Sequence, residues 1–233
     1  DFAGNSSKVI IPLAGKNQEI LQIKPKIKTS YFIKANDFQK FTVENVTVAF
    51  PTNTFYEDFY LQFSVENNTA NIHQPIIPLN KNYTLTFEVT NYNEQEKKQL
   101  FIAYIDEKGK IDYQSTTKKE NTFFTNPKNL GTFVLMKDSI PPTIKLHNFE
   151  PKQWISKLQL MEIEIDDDLS GIDTYSASIN GDWILMEYNL KRKMLVYDFN
   201  DKVLKGHQHQ LKIKVIDKVG NTNFLETTFY RVE

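Results

Sequence analysis

A chain of 233 residues with 40% hydrophobic and 24% charged residues has enough apolar material for one or two cores. Its formal net charge of -1 creates no global field that favours nucleic acid or an anionic membrane, and its apolar runs, Val9 to Ile11 and Pro75 to Leu79 among them, are too short to span a bilayer. Cysteine is absent, which excludes disulfides, thiolate nucleophiles and Cys-ligated zinc.

The lack of cysteine also favours a bacterial envelope protein over a secreted animal β-sandwich, which is often disulfide-bonded. No signal peptide is present, as expected of a mature or excised fragment. Asn-x-Ser/Thr sequons begin at Asn5, Asn45, Asn67 and Asn82. In a chain so rich in Asn they read as chance matches.

The first residues already carry a pattern that returns near the end. Asp1-Phe2-Ala3-Gly4-Asn5-Ser6 is matched by Asp217-Lys218-Val219-Gly220-Asn221-Thr222. The second copy sits between an alternating segment (Leu211, Ile213, Val215) and a β-rich run from Phe224 to Val232, as a tight turn between strands does. The first copy has only a following strand, Lys8 to Leu13. Residues 1–30 therefore read as the last strand of a preceding immunoglobulin-like module plus a connector around Lys24-Pro25-Lys26.

Period-two alternation dominates the chain beyond residue 30, and helical periodicity is almost nowhere to be found. Phe41, Val43, Val46, Val48 and Phe50 form a β-branched run that stops at Pro51. Tyr60 to Val65 alternates, as do Tyr83, Leu85, Phe87 and Val89. Leu100 to Ile105 and Ile111 to Gln114 flank a Gly-containing loop and predict a hairpin. Leu130 to Leu135 closes a β-sandwich over residues 31–140.

Asp138-Ser139-Ile140-Pro141-Pro142 predicts a domain boundary, because paired prolines stiffen the backbone and remove two amide donors. Seven strands are expected beyond it: Thr143 to His147, Leu158 to Ile165, Tyr175 to Ile179, Trp183 to Glu187, Met194 to Phe199, Gln210 to Ile216 and Asn223 to Tyr230. Asn180-Gly181 is a two-residue hairpin turn. Seven short strands in about 90 residues predict an immunoglobulin-like sandwich over residues 141–233. The fold class expected is all-β, with tandem immunoglobulin-like sandwich modules.

Four histidines are the first candidates for chemistry. His207 and His209 are two apart on a strand and share a face, a pairing that can hold two positions of a zinc site. Parity puts both in line with Leu211, Ile213 and Val215, so they read as sandwich-edge histidines. No Gly-x-Ser-x-Gly elbow and no Gly-rich phosphate loop occurs, so no catalytic residue and no cofactor are assigned.

Asp166 to Asp173 is the densest polar cluster and falls in the B–C loop of the second sandwich. The Asp217 to Asn221 turn is its F–G loop, at the same end. Asp166, Asp168, Asp217 and Asn221 are thus calcium candidates through hard oxygen ligands. The preferred reading is that Asp and Ser cap their own turns, since no spacing resembles an EF-hand loop. Trp154, Trp183 and Tyr188 are the candidates for stacking on sugar rings, against the preferred reading that large aromatics fill cores and module interfaces.

Three stretches together resemble a known family: Asp167-Asp168-Leu169-Ser170-Gly171-Ile172, Ile179-Asn180-Gly181-Asp182-Trp183-Ile184-Leu185-Met186-Glu187-Tyr188 and Val215-Ile216-Asp217-Lys218-Val219-Gly220-Asn221. They look like the C-terminal accessory module of lysostaphin-type zinc metallopeptidases of flavobacteria and their relatives. Val48 to Asp58, Leu130 to Leu135 and Asp138 to Pro142 resemble the module before it.

The resemblance implies a non-catalytic, positioning region of a peptidoglycan metallopeptidase, in the bacterial periplasm or at the cell surface. Its implied partners are the upstream peptidase and immunoglobulin-like modules, with peptidoglycan or a surface glycan. The family's His-x-x-x-Asp motif is lacking, and His207-Gln208-His209 lies in the accessory strand, so no catalytic residue carries over. An adhesin-like or glycan-binding surface fragment is the alternative.

Overall fold

The computed structural model describes residues 4, 6–15 and 28–232. Most of the first Asp-x-x-Gly-Asn copy and the connector Lys24-Pro25-Lys26 lie outside these residues. The expected strand Lys8 to Leu13 is described and is not a strand. Among the described residues no ladder partner lies beside it, and Val9, Ile10, Ile11 and Leu13 are exposed.

Twenty strands and one short helix make up the rest of the described chain. In the first sandwich they are β1 (Tyr31–Ile33), β2 (Gln39–Val43), β3 (Val46–Phe50), β4 (Phe59–Leu61), β5 (Phe63–Glu66), β6 (Thr69–Ile72), β7 (Thr84–Glu88), α1 (Glu94–Gln99), β8 (Leu100–Ile105), β9 (Ile111–Gln114), β10 (Thr117–Lys119), β11 (Thr122–Thr125) and β12 (Gly131–Lys137). Two five-stranded sheets, ordered β10-β11-β7-β3-β2 and β5-β6-β12-β8-β9, face each other, and β1 pairs with β4 at the side. Val46, Val48 and Phe50 on β3 and Leu85 and Phe87 on β7 point inward from one sheet. Ala70, Ile72, Phe133 and Leu135 meet them from the other. The alternation of these strands is what a half-buried pleat requires.

Three local expectations are corrected here. The run Phe41 to Phe50 is a hairpin, not one strand: Glu44 adopts φ 49° and turns β2 onto β3. Tyr60 to Val65 breaks at Gln62, whose backbone exchanges bonds with His73, so β4 and β5 enter different sheets. The third is α1, whose six residues are too few to show a period. Its signal is the capping box, in which Asn93 Oδ1 accepts from Glu96 N at 2.9 Å while Glu96 Oε2 accepts from Asn93 N at 3.1 Å.

The second sandwich comprises β13 (Thr143–Leu146), β14 (Leu160–Asp166), β15 (Ile172–Ile179), β16 (Asp182–Ile184), β17 (Glu187–Asn189), β18 (Met194–Asp198), β19 (Gln208–Asp217) and β20 (Thr222–Tyr230). Its sheets are ordered β13-β14-β18-β17 and β16-β15-β19-β20. This is the order of an immunoglobulin-like sandwich with a short added strand beside the third. Eight strands replace the seven expected because Trp183 to Glu187 does not stay in one sheet. Its first part, β16, pairs with β15; the chain then crosses at Leu185-Met186, and β17 pairs with β18.

Asn180 and Gly181 take φ 54° and 89°, the left-handed pair of the expected β15–β16 turn. The second core gathers Met161, Ile163 and Ile165 with Ile179, Leu211, Ile213, Val215 and Phe229, and it shares no residue with the first.

Candidate functional site

The four histidines do not converge. His209 is fully buried, with its ring 5.2 Å from that of Phe229, while His207 is exposed just before β19 and lies against Trp154. The expected shared face is therefore lost, because the ladder begins only at Gln208.

His209 is fully engaged. Asn180 Oδ1 accepts from Gln210 N at 2.8 Å, which turns Asn180 Nδ2 toward His209 Nδ1 at 3.0 Å. Nδ1 is then the acceptor, and Nε2–H points to Arg231 O at 3.4 Å. His73 and His147 sit elsewhere. The first is held by Gln62, with burial pushing its imidazole pKa down, and the second is beside Glu162 at 3.7 Å.

Among the described residues, one group of three potential metal-ligating side chains is drawn together: Asp138, Asp167 and Asp217 each place a carboxylate oxygen within 4.8 Å of the others. The topology explains the meeting. The B–C loop after β14, the F–G turn after β19 and the segment entering β13 all lie at one end of the second sandwich. That end abuts the end of β12 in the first.

Each carboxylate is already in use. Asp217 Oδ1 accepts from Val219 N at 3.0 Å and Asn221 N at 2.8 Å, and its Oδ2 accepts from Asn221 Nδ2 at 2.8 Å. Asp167 Oδ2 accepts from Gly171 N at 2.7 Å. Asp138 Oδ1 accepts from Ile140 N at 3.1 Å, and Oδ2 from Ser170 N, also at 3.1 Å, which crosses from one sandwich to the other.

The calcium candidates named from sequence are thus only partly assembled. Asp217 and Asn221 lie in the cluster, but Asp166 is ion-paired with Lys193 at 2.6 Å and Asp168 is exposed. Asp138 and Asp167 take their places. A hard cation here would have to displace backbone N–H donors from most of its oxygen ligands.

Further contacts close the junction. Asn221 Nδ2 also donates to Asp138 O at 3.0 Å, and Gln99 Nε2 reaches Asn221 Oδ1 at 3.4 Å from the end of α1. Asp138 N donates to Gln99 O at 2.9 Å, so a single strap runs β12–Gln99–Asn221. Lys218 lies 4.5 Å from the centroid of the Tyr113 ring, a cation–π contact between the two sandwiches. Burial lowers the Lys118 pKa, and the Asp217 charge opposes that.

Burial, then the charges of Asp138 and Asp217, raise the Asp167 pKa above its ordinary 3.8, against the opposing bond from Gly171 N. A carboxyl raised on folding adds stability as pH falls through its folded value and loses it as pH rises. Asn mimics the protonated form and can still accept from Gly171 N. Asp167→Asn is therefore expected to melt higher than the parent at pH 7, with the gap closing toward pH 4. A gap that is constant across that range would contradict the assignment.

The stacking candidates are distributed over the second sandwich. Trp154 is 58% exposed and stacks on Tyr230 at 5.3 Å, and Tyr188 is half-buried against Tyr175. Trp183 is 67% exposed on β16, against the preferred reading that large aromatics fill cores and module interfaces: Ile184, next in the pleat, takes the inward position. A concavity of about 780 Å³ lies on the first sandwich and is lined by polar groups of Gln62, Ser64, Asn71 and Asp106 beside Tyr31 and Tyr104.

Residues 30–138 match the model of the Zu5-like domain. That segment is the first sandwich, and it stops at the first acid of the junction. No curated protein matches the chain. Among solved structures, the apo expansin of Clavibacter michiganensis is similar at 11% identity over 61% of this chain and 74% of that one, with a TM-score of 0.28. At that score the likeness carries no argument about fold or function.

Proposed function

We propose that this chain is a non-catalytic accessory region of a cell-envelope peptidoglycan metallopeptidase, with the boundary between its modules at Asp138 to Pro142. Its role is to hold neighbouring modules at a set spacing and angle in the periplasm or at the cell surface, in contact with peptidoglycan or a surface glycan. The junction is the observation that carries this reading. Hydrogen bonds from Ser170 and Asn221 to Asp138, the bond from Gln99 to Asn221 and the Lys218–Tyr113 contact tie two separate cores through short polar links, as a rigid spacer needs.

The peptidase parentage is supported by the resemblance in the B–C loop, the Asn-Gly-x-Trp hairpin and the F–G turn. The first sandwich's match to a Zu5-like domain is compatible with an accessory role.

The test is direct. Purified peptidoglycan incubated with the chain, with and without added zinc, is expected to release no new amino groups. Zinc-dependent release would overturn the non-catalytic reading.

A further inference from the structure

The outer face of the sheet β16-β15-β19-β20 carries an ordered set of aromatic, hydroxyl and charged side chains. Two rows of side chains cross it in register. One runs Trp183, Ser178, Lys212, Glu226; the next runs Ser176, Lys214, Phe224. The serines are short and form a floor, while Trp183 and Phe224, 67% and 65% exposed, stand at opposite edges. The result is a trough of about 340 Å³. Its aromatic walls are three strand spacings apart, about 14 Å.

The composition of the trough selects among partners. A protein interface of ordinary size removes about 800 Å² from each partner and is depleted in Lys at its centre, whereas this floor is narrow and carries two lysines. A nucleic acid needs a run of unopposed cations, and here Lys212 is paired with Glu226 at 3.0 Å. A polysaccharide fits each part. Sugar C–H faces stack on exposed indole and phenyl rings, and the Ser176 and Ser178 hydroxyls together with the Lys212–Glu226 pair offer both donors and acceptors to ring hydroxyls. Lys214 is the residual charge. Its Nζ lies 5.8 Å from the centroid of the Phe224 ring, with no carboxylate in ion-pair range among the described residues, and it calls for an anion on the ligand.

We infer that this face binds an extended, carboxylate-bearing polysaccharide, with Trp183 and Phe224 stacking on sugar rings and Lys214 pairing with a carboxylate. The inference deepens the glycan contact of the reading above by naming its place and class. Its failure would leave that reading standing, because the junction and the peptidoglycan assay do not involve these residues.

The test is affinity electrophoresis of the full chain through native gels containing polygalacturonate, with hydroxyethylcellulose as the uncharged counterpart. Retardation by polygalacturonate is expected, weakened about tenfold in Trp183→Ala and in Phe224→Ala. Lys214→Gln is expected to lose the preference for polygalacturonate and to keep any residual retardation by hydroxyethylcellulose. All three side chains lie on the outer face, and circular dichroism melts confirm that each variant is folded. No retardation by polygalacturonate, or retardation undiminished in Trp183→Ala, overturns the site. Equal retardation of the parent chain by hydroxyethylcellulose overturns the carboxylate assignment.

Discussion

Asp217→Ala is expected to lower the stability of the second sandwich by about 2–4 kcal/mol, because charge-assisted hydrogen bonds in a buried setting are the strong ones and their N–H donors would lose their partner. Asp217 is 1% exposed and accepts three bonds, from Val219 N, Asn221 N and Asn221 Nδ2, which together shape the F–G turn. Relief of repulsion from Asp138 and Asp167 offsets part of the loss. Asp217→Asn keeps one acceptor oxygen and should lose less. The readout is unusually clean: both tryptophans, Trp154 and Trp183, belong to the second sandwich, so their fluorescence in a urea titration follows that unit alone. A variant with an unchanged urea midpoint would show that the turn does not depend on its acid.

Phe229→Ala is expected to have the larger effect, about 3–5 kcal/mol, the usual loss when a buried Phe is cut to Ala. Phe229 is fully buried on β20, with its ring 6.2 Å from Phe149, 6.1 Å from Phe199 and 5.2 Å from His209. That loss is a large part of a typical domain's roughly 5–15 kcal/mol. The tryptophan signal should then be lost at low urea while much of the far-ultraviolet β signal persists, since the first core contains none of these residues. Simultaneous loss of both signals at low urea would mean that the two cores fold as one.

The sequence disclosed the strands wherever one face is buried, because the alternation of Val46, Val48 and Phe50, or of Leu211, Ile213 and Val215, is the pleat itself. It also placed the B–C and F–G loops at one end. Periodicity does not reveal where a strand changes sheet. Gln62 sits inside an alternating run and Leu185-Met186 inside a continuous apolar one, and only their partners in space divide them.

The junction was half legible for a related reason. Asp217 and Asn221 announce their turn locally, but Asp138 is 79 positions from Asp217 in the chain and joins them only once the two sandwiches abut. Its local cue, an acid just before Ile140-Pro141-Pro142, reads as an ordinary linker. Trp183 departs from the preferred reading of large aromatics as core residues because the run Trp183 to Met186 shows that one face is buried without showing which. The register Ser178↔Trp183 settles that it points out.

The fixed relation between the two sandwiches is open to one decisive measurement. The chain lacks cysteine, so Glu66→Cys and Lys202→Cys, both at exposed positions, would carry the only two spin labels, one on each sandwich. A pulsed dipolar distance measurement should return one narrow distribution that broadens in Asn221→Ala, where the Gln99–Asn221–Asp138 strap is cut. A distribution that is broad from the outset and indifferent to Asn221→Ala would contradict the rigid junction and the positioning role built on it.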